Sequence, residues 1–283
     1  DWIRRLAWLA PGNGEAFRHL DFFLPSGRIA VALATTLGLV VLYPLLVQLF
    51  DRRAALMAVG LLAFDPFLIG HSGLLHTDGL LATFSLLALT AALRGLGEPR
   101  RAVWWALSGI FTGLAVLTKT PAIFLVPCIL LSRCLILGPR FSARHPSFTV
   151  IGHCLVFILS IFLTCFALYP ALWTDPAGTL NTLSAFSGRH IEMVQRPIFF
   201  AGQMRYDPGA FFYPVVFLFR ISPVVIGGLV IGLAKLHRLP SDRRLAFLML
   251  LAFAVGFGAL MSLGAKKHDR YLLPAFPPLI LAA

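Results

Sequence analysis

The chain has 283 residues, a length that ordinarily means one or two globular domains. Its composition excludes that reading: 58% of the residues are apolar, 13% are charged and the mean hydropathy is +0.84, more apolar surface than a water-soluble fold can hide. The formal net charge of +12 would point to nucleic acid in a soluble protein, but the basic residues sit in short clusters between apolar runs, as membrane topology requires. A nucleic-acid partner, a disordered chain and a disulfide-stapled secreted domain are thereby excluded.

In chain order, Trp2, Ile3, Leu6 and Leu9 fall on one helical face beside Arg4 and Arg5, which predicts an interfacial amphipathic helix within an extracytoplasmic segment 1–28. Nine apolar runs follow: 29–50, 54–70, 75–93, 102–118, 121–137, 148–169, 211–233, 245–263 and 271–283. A helix needs about 20 apolar residues to cross the hydrocarbon core, so these predict an all-α, polytopic transmembrane bundle of about nine spans. Six spans occupy 29–169, an extracytoplasmic loop occupies 170–210, and three spans occupy 211–283. Leu180, Leu183 and Phe186 mark a second amphipathic stretch in that loop. The chain opens on Asp-Trp-Ile-Arg-Arg and closes inside an apolar run, so it reads as a segment of a longer membrane protein, truncated at both ends. Gly109 with Gly113, and Gly228 with Gly232, have the spacing of close helix packing. Cys128, Cys134, Cys154 and Cys165 lie in or beside apolar runs without CxxC spacing, and read as free apolar thiols.

Orientation follows from the basic residues. The alternate loops 51–53, 94–101, 133–145 and 235–244 carry Arg52, Arg53, Arg94, Arg100, Arg101, Arg133, Arg140, Arg144, Lys235, Arg238, Arg243 and Arg244. By the positive-inside rule they face the cytoplasm. The opposite face then holds 1–28, 70–78, 119–120, 170–210 and 264–270.

That face carries a second set of ionisable residues. Lys119 ends one run, Arg28 heads the first, and Lys266, Lys267, His268, Asp269 and Arg270 crowd the loop before the last. Each alone reads as a snorkelling side chain, whereas together they suit a lipid-borne phosphate. Asp78 opens the third run in Gly-His-Ser-Gly-Leu-Leu-His-Thr-Asp-Gly, where it reads equally as a helix N-cap and as a site carboxylate, two compatible roles. His71 and His76, five residues apart, do not share a helical face, so no metal site is assigned to them. Asp65 and Arg220 are charges within spans with no partner fixed by sequence. Nucleotide-binding and soluble-hydrolase motifs are absent, so an activated donor would have to arrive through the membrane.

Three stretches resemble glycosyltransferase family 39, the protein O-mannosyltransferases and lipid A aminoarabinose transferases: HSGLLHTDGLLAT at 71–83, GIFTGLAVLTKTP at 109–121 and KKHDRYLLPAFPP at 266–278. Arg28 before its apolar run, YPALWTDP at 169–176 and DPGAFFYPVVFLFRISP at 207–223 are similar to parts of the same family. The resemblance implies a C-type membrane glycosyltransferase, multi-pass in a bacterial inner membrane, with its active face extracytoplasmic. Such an enzyme moves a sugar from a polyprenyl-phosphate donor to a protein or lipid acceptor. It implies donor-phosphate binding by Lys119, Lys266, Lys267, Arg270 and Arg28, a supporting catalytic role for Asp78 with His76, and a general base on a loop preceding this chain. Gly73 departs from the motif, where relatives often carry Arg. No cofactor is assigned, and a divalent metal is left open. The competing reading is a transporter or flippase for an anionic lipid or solute. A transporter predicts paired inverted repeats, and no second copy of HTDGLL or LTKTP is present.

Overall fold

The computed structural model describes residues 20–97, 102–137, 146–192, 197–264 and 266–283. The amphipathic helix expected at residues 2–9 and the basic residues at 100, 101, 140 and 144 lie outside the described residues. What is described is almost wholly helical, as the long apolar runs predict.

Helix α1 (Leu20–Leu49) runs for 30 residues and begins well before the apolar run that announces it, so Arg28 lies within the helix and not at its head. Helices α2 (Arg52–Ala63) and α3 (Pro66–Ser72) share the next apolar run but meet at a bend of 59°. The bend is local chemistry. Pro66 disfavours the helical conformation at Asp65, which is extended (φ −68°, ψ 119°) and whose Oδ1 accepts from the Leu68 amide at 2.9 Å. Asp65 thus caps α3 rather than pairing with Arg220.

Helix α4 (Asp78–Gly97) is the centre of the bundle, with 72% of its apolar window buried against α1, its successor α5 (Ala102–Thr118) and the C-terminal segment. A 3-10 turn (Thr120–Phe124) leads into α6 (Leu125–Leu137), and α7 (Pro146–Leu168) packs on α5. A methyl group at Gly113 would come within 2.8 Å of Thr164 Cβ, and one at Gly109 would strike the Phe157 carbonyl, so this glycine pair lets α5 and α7 touch through their backbones. Arg133, expected in a loop, is buried on α6, with its guanidinium 5.3 Å from the Trp105 ring and 3.2 Å from His153 Nδ1. Leu33, Leu37 and Val40 on α1 and Leu155, Phe162 and Leu163 on α7 are exposed, the surface expected against hydrocarbon.

The segment 170–210 folds as a short helix α8 (Ala171–Thr174), helix α9 (Pro176–Glu192) and a hairpin of β1 (Ile198–Phe200) and β2 (Gln203–Arg205), paired Ile198 to Arg205 and Phe200 to Gln203. Ala201 and Gly202 both have positive φ, as a two-residue hairpin turn demands. The run 211–233, expected as one span, divides into α10 (Phe212–Arg220) and α11 (Pro223–Ala234), bent by 108° where Pro223 starts a helix capped by Ser222. Helix α12 (Ser241–Leu263) is a full span, and a 3-10 segment (Asp269–Ala275) with Pro274 inside leads into α13 (Phe276–Ala282). Each of the nine apolar runs is mainly helical, but they are not nine straight spans. Among the described residues four helices are long and apolar enough to cross a membrane, and each bent pair passes the same test when its two helices are taken together.

Candidate functional site

Three chain breaks bring the site together. Helix α4 starts at Asp78, with the Thr77 carbonyl accepting from the Leu81 amide. Helix α5 ends at Thr118, and Lys119 is extended (φ −165°, ψ 134°) ahead of Pro121. His268 is likewise extended (φ −137°, ψ 147°) before the 3-10 segment that carries Arg270 and Tyr271. Extended residues at helix ends release their side chains from the helical surface, and these meet over the N-terminus of α4.

Asp78 is the hub, with its side chain 1% exposed. Oδ1 accepts from Lys119 Nζ at 2.6 Å. Oδ2 lies 2.8 Å from His76 Nδ1 and 3.7 Å from Arg270 Nε, but none of these three atoms is aligned for a hydrogen bond. No backbone amide donates to the carboxylate among the described residues, so of the two sequence readings the helix cap is the one the geometry does not support. Lys119 and Arg270 keep part of their surface open, at 27% and 36%, and both lie over the Tyr271 ring, at 4.2 Å and 5.7 Å. A cation held between a carboxylate and an aromatic face is fixed in direction while one side stays accessible.

The remaining cations divide. Lys266 is half-buried and makes no hydrogen bond or ion pair among the described residues. Lys267 is 2% exposed and is committed to Asp207, 2.8 Å away. Arg28 is exposed on α1, next to Gly27, which backs onto Leu75; it is not drawn into the cluster. Arg220 pairs with Asp269 at 2.6 Å and stacks on Phe67 at 5.3 Å. Asp207 precedes α10 and Arg220 ends it, so α10 lies across the 267–269 segment. That is why the α10–α11 bend belongs to the site. Sequence reading missed both partnerships. The only trace of the first was Asp-Pro-Gly at 207–209, where Asp207 Oδ1 accepts from the Gly209 amide at 2.9 Å and shapes the turn that presents it.

Burial holds the His76 imidazole below its ordinary pKa, against the pull of the Asp78 carboxylate. Burial, followed by the Arg270 and Lys266 charges, does the same to His268. The Asp207 carboxyl is lowered by its hydrogen bond from Lys267 and by the Gly209 amide. Counted by formal charge with histidines neutral, five cations (Lys119, Arg220, Lys266, Lys267 and Arg270) face three carboxylates (Asp78, Asp207 and Asp269), a surplus of two positive charges at this end of the bundle. That surplus suits a phosphate. Among the described residues no group of three or more His, Cys, Asp or Glu is placed to hold a metal ion.

The chain is similar to two solved structures of ArnT from Cupriavidus metallidurans. The form bound to undecaprenyl phosphate matches at 21% identity and a TM-score of 0.57, over 99% of this chain and 48% of that one. The apo form matches at 24% identity and a TM-score of 0.51, over 90% and 44%. The chain thus shares the ArnT membrane fold and spans about half the length of these structures. No curated protein matches it. The family model for dolichyl-phosphate-mannose-protein mannosyltransferases matches residues 20–167, just over half the chain, and includes the 71–83 and 109–121 segments that supply Asp78 and Lys119. The chain belongs to the dolichyl-phosphate-mannose-protein mannosyltransferase family of multi-pass membrane proteins.

Proposed function

We propose that this chain is the donor-phosphate half of an integral membrane glycosyltransferase, which takes a sugar from a polyprenyl-phosphate lipid and passes it to a protein or lipid acceptor outside the cytoplasm. The observation that carries the reading is the buried Asp78 carboxylate with Lys119 hydrogen-bonded to it and Arg270 beside it, both cations partly open and the cluster carrying surplus positive charge. The solved ArnT form that shares this fold binds undecaprenyl phosphate, which supports the lipid class.

The chemistry follows from charge. A sugar joined to a lipid phosphate is a phosphodiester with one negative charge, and cleavage of the glycosidic bond leaves a monoester with a second. Lys119 and Arg270 stabilise charge that grows as the bond breaks, an interaction stronger in the transition state than in the ground state. Lys266 supplies a further cation. Asp78 is a positioning residue here. The carboxylate is 1% exposed and covered by the cations it faces, so its work is to hold Lys119 and Arg270 in place rather than to take the acceptor's proton. A separate base must do that, and a positioned base contributes roughly 10²–10⁴-fold in rate. The family resemblance implies a base on a loop preceding this chain, and that Asp207 and Asp269 are each held by a cation, Lys267 and Arg220, is in keeping with it.

The test is transfer of radiolabelled sugar from polyprenyl phosphate by the full-length protein. Transfer abolished by Lys119→Ala and partly kept by Lys119→Arg is the expected result. Full activity in Lys119→Ala, or lipid translocation without transfer by the wild type, overturns the reading.

A further inference from the structure

Helix α4 has a second charged end. Its 20 residues span about 30 Å, the thickness of a bilayer's hydrocarbon core, from Asp78 to Gly97. At the Gly97 end, the C-terminus of α1, the C-terminus of α4 and the start of α12 enclose a cavity of about 480 Å³. Gln48, Phe50, Arg94, Asp242, Arg243 and Arg244 line it.

These residues divide into a fixed base and an open rim. Arg94 Nε donates to Gln48 Oε1 at 3.3 Å, and its guanidinium lies 5.6 Å from the Trp104 ring. Arg243 and Arg244 are exposed and make no hydrogen bond or ion pair among the described residues. Among the described residues the nearby carboxylates are hydrogen-bonded elsewhere, although Asp51 also feels the Arg243 charge. Asp242 accepts from Ser241 at 3.3 Å, and Asp51 accepts the Arg53 and Ala54 amides as the cap of α2. Asp242 is the single carboxylate among the described lining residues, and the exposed Arg243 and Arg244 already outnumber it. Leu248 on α12, itself part of the lining, and Val41 on α1, about two turns from Gln48, are exposed apolar side chains. The place has a charged head and an apolar flank at one membrane surface.

We propose that this cavity binds the phosphate headgroup of an anionic phospholipid in the leaflet opposite the Asp78 cluster, its acyl chains lying against α1 and α12. Arg243 and Arg244 contact the phosphate, Arg94 supports it from the base, and Gln48 and Asp242 face the hydroxyls of a glycerol-type headgroup. Basic pockets between spans at the cytoplasmic surface suit such lipids, and each arginine near the surface adds to the attraction. The proposal does not depend on the transferase reading.

The experiment is native mass spectrometry of the full-length protein released from detergent with phosphatidylglycerol, phosphatidylcholine or inorganic phosphate added. The wild type should retain phosphatidylglycerol over phosphatidylcholine, and Arg243→Ala with Arg244→Ala should cut that retention about tenfold or more. Lysine at both positions should keep most of the preference, which separates lost charge from lost fold. Equal retention of the two lipids, or an unchanged preference in the double alanine variant, overturns the proposal. Displacement of the lipid by millimolar inorganic phosphate would make this a free-anion site and overturn it as well.

Discussion

Lys119 Nζ sits 2.6 Å from Asp78 Oδ1, a contact that joins the broken end of one helix to the first residue of another, 41 positions away. One partner is sealed from solvent and the other is partly open, so the pair is anchored from below and available from above. A buried carboxylate left alone is expensive, whereas a pair removed together is cheap by comparison.

That asymmetry gives a mutant cycle. Lys119→Ala should destabilise the protein by about 3 kcal/mol, because Asp78 is left buried without its hydrogen-bonded cation. Adding Asp78→Asn should restore much of the melting temperature but none of the sugar transfer. Recovery of transfer in the double variant would show that Lys119 serves the fold alone.

The Lys267–Asp207 pair has the opposite exposure, with the lysine buried and the carboxylate half open. Asp207→Ala leaves a buried ammonium unsatisfied, at about 1–3 kcal/mol, and should destabilise more than Lys267→Met, which removes the charge itself. Lys267→Met should also reduce transfer far less than Lys119→Ala does. Thermal melts in detergent and the transfer assay check both orders.

Burial depresses the pKa of His76 and His268, so the unfolded chain binds more protons than the folded one as pH falls through the ordinary histidine value of about 6.5. Stability contributed by the neutral imidazoles is present above that value and is lost progressively below it. The melting temperature should drop between pH 7 and pH 5, and a His76→Gln, His268→Gln variant should drop less. Equal slopes for the two proteins would remove both histidines from the acid response.

Topology is open to labelling. A single cysteine replacing Ser184 on α9 should react with an impermeant reagent from outside, and one replacing Arg238 only from the cytoplasm, in a background without Cys128, Cys134, Cys154 and Cys165. Modification at position 184 from the cytoplasmic side alone would invert the assignment and remove the proposed site from the extracytoplasmic face.

The sequence by itself determined the solvent, the helical class and the family. Hydrocarbon admits only helices or closed barrels, and continuous rather than alternating apolar runs select helix. HSGLLHTDGLLAT and GIFTGLAVLTKTP are contiguous motifs, readable without any fold, and the family match covers both. It also placed Asp78, Lys119 and Arg270 on one membrane face, since each stands at the end of a run.

Which of those charges meet was decided by tertiary structure alone. Lys119 and Lys267 look alike in sequence, each a basic residue in a short loop between apolar runs, yet one engages Asp78 and the other Asp207. Arg133 and Arg220 carry the same charge, yet one is buried between Trp105 and His153 and the other crosses to Asp269. The bends at Pro66 and Pro223 turn runs of uniform hydropathy into pairs of helices, and the second lays α10 across the 267–269 segment. Hydropathy reports how apolar a residue's surroundings must be, and membrane position reports its depth. Neither carries the rotation of a helix about its axis or the identity of a neighbour 40 or 60 residues away, which packing fixes.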